Sequence, residues 1–563
     1  MLKIVNMIPQ ALSWEARQDA EPNIAVNPEN PSQIVATAFT MDPMNGPRAP
    51  VFVSNDGGLT WSLRSIVPGG PGTSDISVGY AGRGGALYAA ILNFSDAHLN
   101  VLRTLDPFSL TPMTQLVDRD DEDQPWVTAA TTRTADVDQD RVFVGHNDFN
   151  TAPRTASVER SQDARNGPAP AGFGTSAVER RPTSGQDGPP VRTAVHPDGT
   201  VYAAFQHWTR AERIANRMLN VHADIVVVRD DAWAAAANPF AALTDPDDAA
   251  VGLRVARDRF LRFTASTGPL GQERIGADLA ITVDPASSAN VWLAWADRVG
   301  GPDATDWTIH VRRSTDRGAT WSDDLRTITD AKNPALAVNG RGLLCFMSQQ
   351  LVGTAPAARW VTQLELTSDG WAEPATTFVL HTARADDPRR LGLPYLGDYI
   401  RLEAVDDDFY GVFSGSNLPD TANFPNGVTY RRNADWNAHV LLNVDNVTPV
   451  GTSIDPFFVR HVVPYDGRLL QEQSGAIWVI LGGARFQVPG QDVVDRLFAD
   501  ASVRQVWDGA LDAIPTIPRD GTLLREESSS QVFVVQGGSK LLATSFLPED
   551  VHVLWDGGLA GIP

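Results

Sequence analysis

A short unit recurs along this chain, and its repetition restricts the possible folds more than any other feature. In each copy a β-like run leads into a turn built on aspartate. Two of these turns are nearly identical, SNDGGLTW over residues 54–61 and STDRGATW over residues 314–321. Weaker relatives contain Asp106, Asp163, Asp231, Asp369 and Asp435, which brings the count to seven. Ahead of the turns stand runs such as VFV, IVVVR and IHVRR, whose β-branched residues suit strands.

A second repeated feature gives the same count. Upstream of every turn lies an apolar run rich in small residues, such as IVATAF, LYAAIL or VWLAW, preceded by another short strand such as PNIAV, PWVTAA or PALAV. Runs that are apolar on both faces belong between packed sheets. Four antiparallel strands repeated radially make a β-propeller, so the expected fold class is an all-β propeller over residues 1–458, seven-bladed by the number of units. The longest interruption runs from Gln206 to Ile275. There TRAERIANRML has helical spacing and DDAWAAAANPFAALTD reads as a short helical excursion, either an insertion on one blade or a lid over the central pocket.

From about Val459 the text changes. Asp466-Gly-Arg-Leu-Leu470 matches Asp520-Gly-Thr-Leu-Leu524, IWVILGG matches VFVVQGG, and Val506-Trp-Asp-Gly509 matches Leu554-Trp-Asp-Gly557. Residues 459–563 are therefore expected to hold a tandem pair of small β-rich repeats, 466–515 and 520–563. These resemble short repeats appended to bacterial surface and envelope proteins, which implies attachment to a cell surface or a larger assembly.

Charge and composition remove several functions. The chain of 563 residues carries a formal net charge of -22, which opposes binding to nucleic acid or an anionic membrane. Its lysines are Lys3, Lys332 and Lys540, so anion recognition must rest on arginine. The one cysteine, Cys345, lies in the apolar run LLCFM, which excludes an intrachain disulfide and a multi-cysteine metal site. No apolar run is long enough to span a membrane, and MLKIVNMIPQALSW lacks the apolar stretch and cleavage site of a secretory signal. Action inside the cell, a signal absent from this sequence, and export by a route that needs none all remain consistent with that text.

The aspartate turn itself needs no substrate. Its carboxylate accepts hydrogen bonds from backbone N–H groups of its own hairpin, while glycine permits the tight path and the tryptophan packs on neighbouring strands. Asp56, Trp61, Asp316 and Trp321 are therefore expected to be structural. The pattern S-x-D-x-G-x-T-W resembles the Asp box, or BNR repeat, of sialidase-like propellers, a likeness that covers about Pro22 to Asn443. Sialidases resemble six-bladed wheels, so six blades is the alternative to seven. The resemblance also implies that the turns, between third and fourth strands, lie opposite the substrate pocket. That pocket would be lined by the starts of the innermost strands and by the loops between second and third strands.

At those positions stand Glu21, Asp75, Asp123, Asp278, Asn333, Asp398 and several arginines. Glycoside hydrolysis needs one group to protonate the leaving oxygen and one to attack or activate water. Asp123 and Asp278 are the candidates, because crowded carboxylates raise one another's pKa. The sialidase resemblance further implies a tyrosine nucleophile with a glutamate partner, read as Tyr399 with Glu403, with Tyr395 as the alternative tyrosine. It implies arginines that grip a sugar carboxylate, for which Arg192, Arg274, Arg298 and Arg401 are placed. Separately, Trp126, Trp208 and Trp295 offer aromatic faces on which a bound sugar could stack, although tryptophan at such positions also serves core packing. The family's early Arg-Ile-Pro motif is absent; the nearest text, Asn6-Met-Ile-Pro9, lacks the arginine. No cofactor is expected. Clustered Asp and Asn oxygens would suit Ca²⁺, although no D-x-D-x-D-G loop is present. The sequence thus points to a sialidase-like, glycan-directed protein acting on a glycan or glycoconjugate, as an exo-glycosidase of terminal sugars. The alternative is a non-catalytic propeller that binds glycan or protein for adhesion or assembly.

Overall fold

The structure is a computed structural model. It describes residues 1–39, 51–68, 73–93, 98–166, 172–184, 191–215, 218–264, 267–268, 271–272, 278–301, 307–388 and 395–563. The chain divides into two compact units, Lys3–Arg460 and a second made of Met1–Leu2 with His461–Pro563.

Among the described residues the first unit is a ring of seven four-stranded sheets. Their first strands are Ala20–Val26, Thr73–Tyr80, Glu122–Thr134, Val191–Val195, Leu279–Asp284, Ala331–Val338 and Arg401–Val405. Each of these packs on the next, and the seventh packs on the first, so the ring closes and the first strands surround its axis. This is the all-β propeller that the repeat requires. Apolar side chains alternate outward along the strands into the spaces between sheets; Leu279, Ile281 and Val283, for example, join the cluster that holds Trp295.

Six sheets are simple meanders, and the seventh is not. It is ordered Leu2–Asn6, Ile454–His461, Asp408–Ser416, Arg401–Val405, so the N-terminal strand completes the last sheet. Closure of this kind ties the chain ends of the ring together through a sheet ladder. It also corrects the seventh turn: Asp435 lies in a separate sheet of three short strands, Asn433–Asp435, Val440–Leu442 and Pro449–Val450. The local pattern there is the same, but the strands that pair across the ring come from far apart in sequence.

The helical expectation between Gln206 and Ile275 is also overturned. Residues Val201–Ala215 and Met218–Asp230 are strands, paired in a long antiparallel hairpin with bulges near Arg210 and Arg213. A third strand, Leu253–Thr264, extends the sheet, and no helix occurs among the described residues of the intervening 231–252. Pairing of TRAERIA with Met218–His222, in a ladder continued by the β-branched run IVVV, outweighs its modest helix propensity.

The second unit holds two sheets of identical design. In each, the opening strand pairs in parallel with the last, Leu469–Glu472 with Val503–Val506 and Leu523–Glu526 with Val551–Leu554. The Trp-Asp-Gly turn is locked the same way in both, with Glu472 accepting from the Gly509 N–H at 3.0 Å and Glu526 from that of Gly557 at 2.9 Å. The first repeat alone adds a helix, Gln491–Leu497, whose Val493 and Val494 are buried. No helix among the described residues is long and apolar enough to cross a membrane.

Candidate functional site

The antiparallel path of each sheet decides which loops share an end of the ring. Loops between first and second strands lie at the same end as those between third and fourth, where the aspartate turns are. Both clear turns have the expected geometry. The Asp56 carboxylate accepts from the N–H groups of Leu59 and Thr60 at 3.0 and 2.9 Å and from the hydroxyls of Ser54 and Thr60 at 2.8 and 2.5 Å. Asp316 repeats this with Thr320 N–H at 2.8 Å and the hydroxyls of Ser314 and Thr320. In both, the indole N–H of Trp61 or Trp321 donates to the carbonyl of Gly58 or Gly318. Gly58 has φ +90°, and a Cβ there would sit 2.0 Å from the Phe458 ring, so only glycine fits. In the fourth sheet the matching acceptor is Asp230, which takes the Ala232 and Ala234 N–H groups, rather than Asp231.

At the opposite end the first strands begin, and their side chains meet on the axis across sheet boundaries. The Tyr399 hydroxyl donates to Asp75 at 3.2 Å. Tyr395 donates to Glu21, which also accepts the Asp398 N–H at 3.2 Å. Arg192 donates to Asp278 at 2.8 Å. Asn333 donates to Gln349 at 2.9 Å and to the Gly397 carbonyl at 3.2 Å. All of these side chains are buried. Gly397, with φ +88°, makes the approach possible: a Cβ there would fall 2.6 Å from the Glu21 backbone nitrogen.

Three of the first strands begin in the same unusual way. Glu21, Gln124 and Asn333 each precede a proline and each adopt positive φ, 54°, 56° and 55°. A residue with a Cβ disfavours that region, and a following proline restricts it further. The ladder slips at each place, between Ala20 and Asn23, Asp123 and Trp126, and Lys332 and Ala335. The resulting bulges re-aim a polar side chain at the strand's entrance, and backbone strain of this sort persists where the surroundings over-determine it.

Beneath this layer the axis is plugged by a stack. The Arg192 guanidinium lies 4.1 Å from the Trp126 ring centroid, and that of Arg401 lies 4.7 Å from the same ring. The Tyr399 ring meets Trp126 edge-on at 5.8 Å. Arg401 also donates to Asn23 at 3.1 Å, to the Val127 carbonyl at 3.2 Å and to Glu403 at 2.9 Å. Cation–π contacts and charge-assisted bonds make the plug rigid.

Electrostatics differentiates the acids and the phenol. Burial pushes the Asp278 carboxyl up to about 6 against the pull of Arg192. Burial also pushes the Tyr399 phenol well above its ordinary range, with Asp75 adding to the effect. Glu403 is raised by burial, while Arg401 and the Val26 N–H pull the other way. Several buried polar atoms at the axial end have no protein partner: Asp75 Oδ2, Gln124 Nε2 and Asn333 Oδ1.

The sequence-derived candidates thus separate into groups. Asp278, Tyr399, Arg192 and Arg401 gather on the axis. Glu403 lies one alternation below Arg401 and bonds to Arg401 and the Val26 N–H, while Tyr399 bonds to Asp75. Asp123 is half-buried at the entrance of the third sheet, its Oδ1 accepting the Gln124 N–H at 2.9 Å. Arg298 stacks on Trp307 at 5.2 Å. Trp208 is buried in an inter-sheet core. Arg274 lies outside the described residues. Sequence reasoning placed Glu21 at the axis without pairing it to Tyr395, and it missed Gln124; the recurring polar-residue–proline step at strand starts is the signal that marks it. The histidine–acid group close enough to share a metal among the described residues is His98, Asp118 and Asp120, at the surface on the outer strands of the second sheet.

The fold and this end of it define a class, an aspartate-turn β-propeller with a buried polar set at its axis. No protein-family model and no curated protein matches the chain. Among solved structures it is similar to an ulvan lyase of polysaccharide lyase family PL25, at 8% identity and a TM-score of 0.41, covering 71% of this chain and 92% of that one. It is similar to the α-L-arabinofuranosidase Arb93A of Fusarium graminearum, at 9% identity and a TM-score of 0.35, covering 68% and 97%. A third likeness is to the Hadza microbial sialidase Hz136, at 14% identity and a TM-score of 0.33, covering 68% and 70%.

Proposed function

We propose that this is a glycan-directed propeller whose ligand enters at the end opposite the aspartate turns. The observation that carries the reading is the set of unpartnered buried atoms there, Asp75 Oδ2, Gln124 Nε2 and Asn333 Oδ1, two of them on strained backbone. A buried polar atom left without a partner costs roughly 1–3 kcal/mol, so such a set favours a ligand that brings both donors and acceptors. Sugar hydroxyls do both. Among Arg192, Arg298 and Arg401, only Arg192 and Arg401 contact the axial group, which favours a neutral sugar over a grip on a sugar carboxylate.

The reaction supported best is hydrolysis of a terminal sugar. Asp278, raised to about 6, holds its proton at mildly acidic pH as a general acid must. Tyr395, whose hydroxyl donates to the Glu21 carboxylate, is the phenol with a base at hand. A second reading, retention without cleavage, is favoured by the Tyr399 phenol, which burial holds in its protonated form. Incubation with a panel of oligosaccharides tests both. Released monosaccharide that disappears in Asp278→Asn, with the variant still folded at the assay temperature despite a lowered melting transition, is the expected result. Retention of glycan without release selects the binding reading. Neither retention nor release with the unmodified chain, or full binding by a Gln124→Leu/Asn333→Leu double variant, overturns the proposal.

A further inference from the structure

We propose that the ring has a second binding site, an axial channel that takes a medium-chain alkyl carboxylate head-first from the aspartate-turn end. A cavity of about 720 Å³ runs along the axis, within the size range of small-molecule sites. Its mouth is formed by Pro28, Gly82, Pro197, Pro285, Gly340 and Asp406, all in loops between first and second strands. It therefore opens at the end away from the polar set described above. From Arg401 to Val405 the wall covers four residue steps, about 13 Å at roughly 3.3 Å each.

The wall and floor have different chemistry. Leu279, Ile281 and Val283 pack into one inter-sheet core and Ala280 against the next, so the channel is lined by the strand edges together with half-buried Ala130, Thr282, Glu403 and Ala404. At the inner end lie Arg192, Trp126 and Arg401. Arg401 is engaged by Asn23, Val127 and Glu403. Arg192 stacks on Trp126 but makes one hydrogen bond, through Nη2 to Asp278, and its Nε and Nη1 have no hydrogen-bond partner although the residue is 2% exposed. The wall is mostly small apolar and threonine side chains, and its carboxylate, Glu403, is held by Arg401 and the Val26 N–H, so two buried guanidinium donors at the channel's end call for an oxygen acceptor carried on an apolar chain. In a chain with three lysines, an arginine is the expected anion receptor.

Titration calorimetry of the full chain with sodium octanoate tests the assignment, with octylamine and octan-1-ol as head-group controls. One octanoate should bind per chain, octanol roughly tenfold more weakly, and octylamine not at all, since loss of a bond to a charged group is worth about that factor. Arg192→Met risks the fold by leaving Asp278 without its partner, so Ala404→Phe is the decisive variant: half-buried Ala404 lines the channel, and the larger side chain fills it, keeps the ion pair and should abolish binding with an unchanged melting transition. Arg192→Lys should weaken octanoate roughly tenfold. Equal heats for octanoate and octylamine, or octanoate binding that survives Ala404→Phe, overturn the proposal. Gln124→Leu should leave octanoate binding intact, so this site and the glycan reading fail or stand separately.

Discussion

Aspartate occurs at both ends of the ring, and the two sets could hardly be used more differently. Asp56 and Asp316 bond to groups within a few residues of themselves, through two backbone N–H groups and two hydroxyls in the case of Asp56. Asp75 and Asp278 take partners hundreds or tens of residues away, Tyr399 and Arg192, and Asp75 keeps an oxygen with no protein partner. A carboxylate satisfied by its own turn is scaffold, whichever sheet it serves. One held by several sheets at once, in low dielectric, is sensitive to every one of them and retains capacity for a ligand.

The comparison can be broken by substitution. Asp278→Ala should have the largest effect, about 3–5 kcal/mol of stability, because it leaves the buried Arg192 guanidinium without its carboxylate. Denaturant unfolding measures it; a loss under about 1 kcal/mol would mean that the pair is hydrated and the axial set is ordinary surface.

Next comes pH. His310 bonds to Asp324 at 2.8 Å and Asp297 at 3.3 Å. Burial lowers its imidazole pKa, but the two carboxylates override this and raise it to about 9. The folded state therefore binds this proton more tightly than the unfolded chain, whose histidine titrates near 6.5. The stabilisation is complete below about pH 6.5 and is lost as pH rises through about 9, roughly 3–4 kcal/mol in all. Melting temperature should fall across that window and the slope should flatten in His310→Gln; identical slopes would remove His310 as the cause. The turns respond at the other extreme. Bonds from Thr320 and Ser314, against the effect of burial, hold Asp316 below its ordinary pKa, so its contribution is present above about pH 4 and lost as pH falls further.

Asp56→Ala should cost about 1–2 kcal/mol, the scale of a lost cap, with glycan and octanoate binding unchanged in the folded protein. Weakened binding at unaltered stability would contradict the scaffold role. The smallest effect should belong to Asp435→Ala. Asp435 accepts from the N–H groups of Asn437 and Ala438 on the surface of a small separate sheet, and its loss should stay within about 0.5 kcal/mol by thermal unfolding. A cost equal to that of Asp56→Ala would show that its turn is as important as those in the ring.

These outcomes also measure how far the sequence could be read. The repeated strand-turn-strand text located six sheets, since within each the partners are sequence neighbours. It misplaced the third and fourth strands of the seventh, because Ile454–His461 pairs with Leu2–Asn6 and nothing local in either strand names the other. Helical spacing in TRAERIA misled for a related reason: its strand partner decided the conformation. At the site, Asp278, Arg192, Tyr399 and Arg401 were legible as strand starts, whereas their pairings were not. Tyr399 sits near Glu403 in sequence and bonds to Asp75 in space.

The sequence by itself determined the repeating all-β design and the local closure of each aspartate turn, because those interactions join residues only a few positions apart. Only the tertiary structure decided that Glu21 meets Tyr395, that Trp126 lies between two guanidiniums, and that Arg192 keeps free donors above a channel open at the other end. The physical reason is closure. Contacts across the axis exist only when the last sheet packs on the first, and that step brings together residues from all parts of the chain at once.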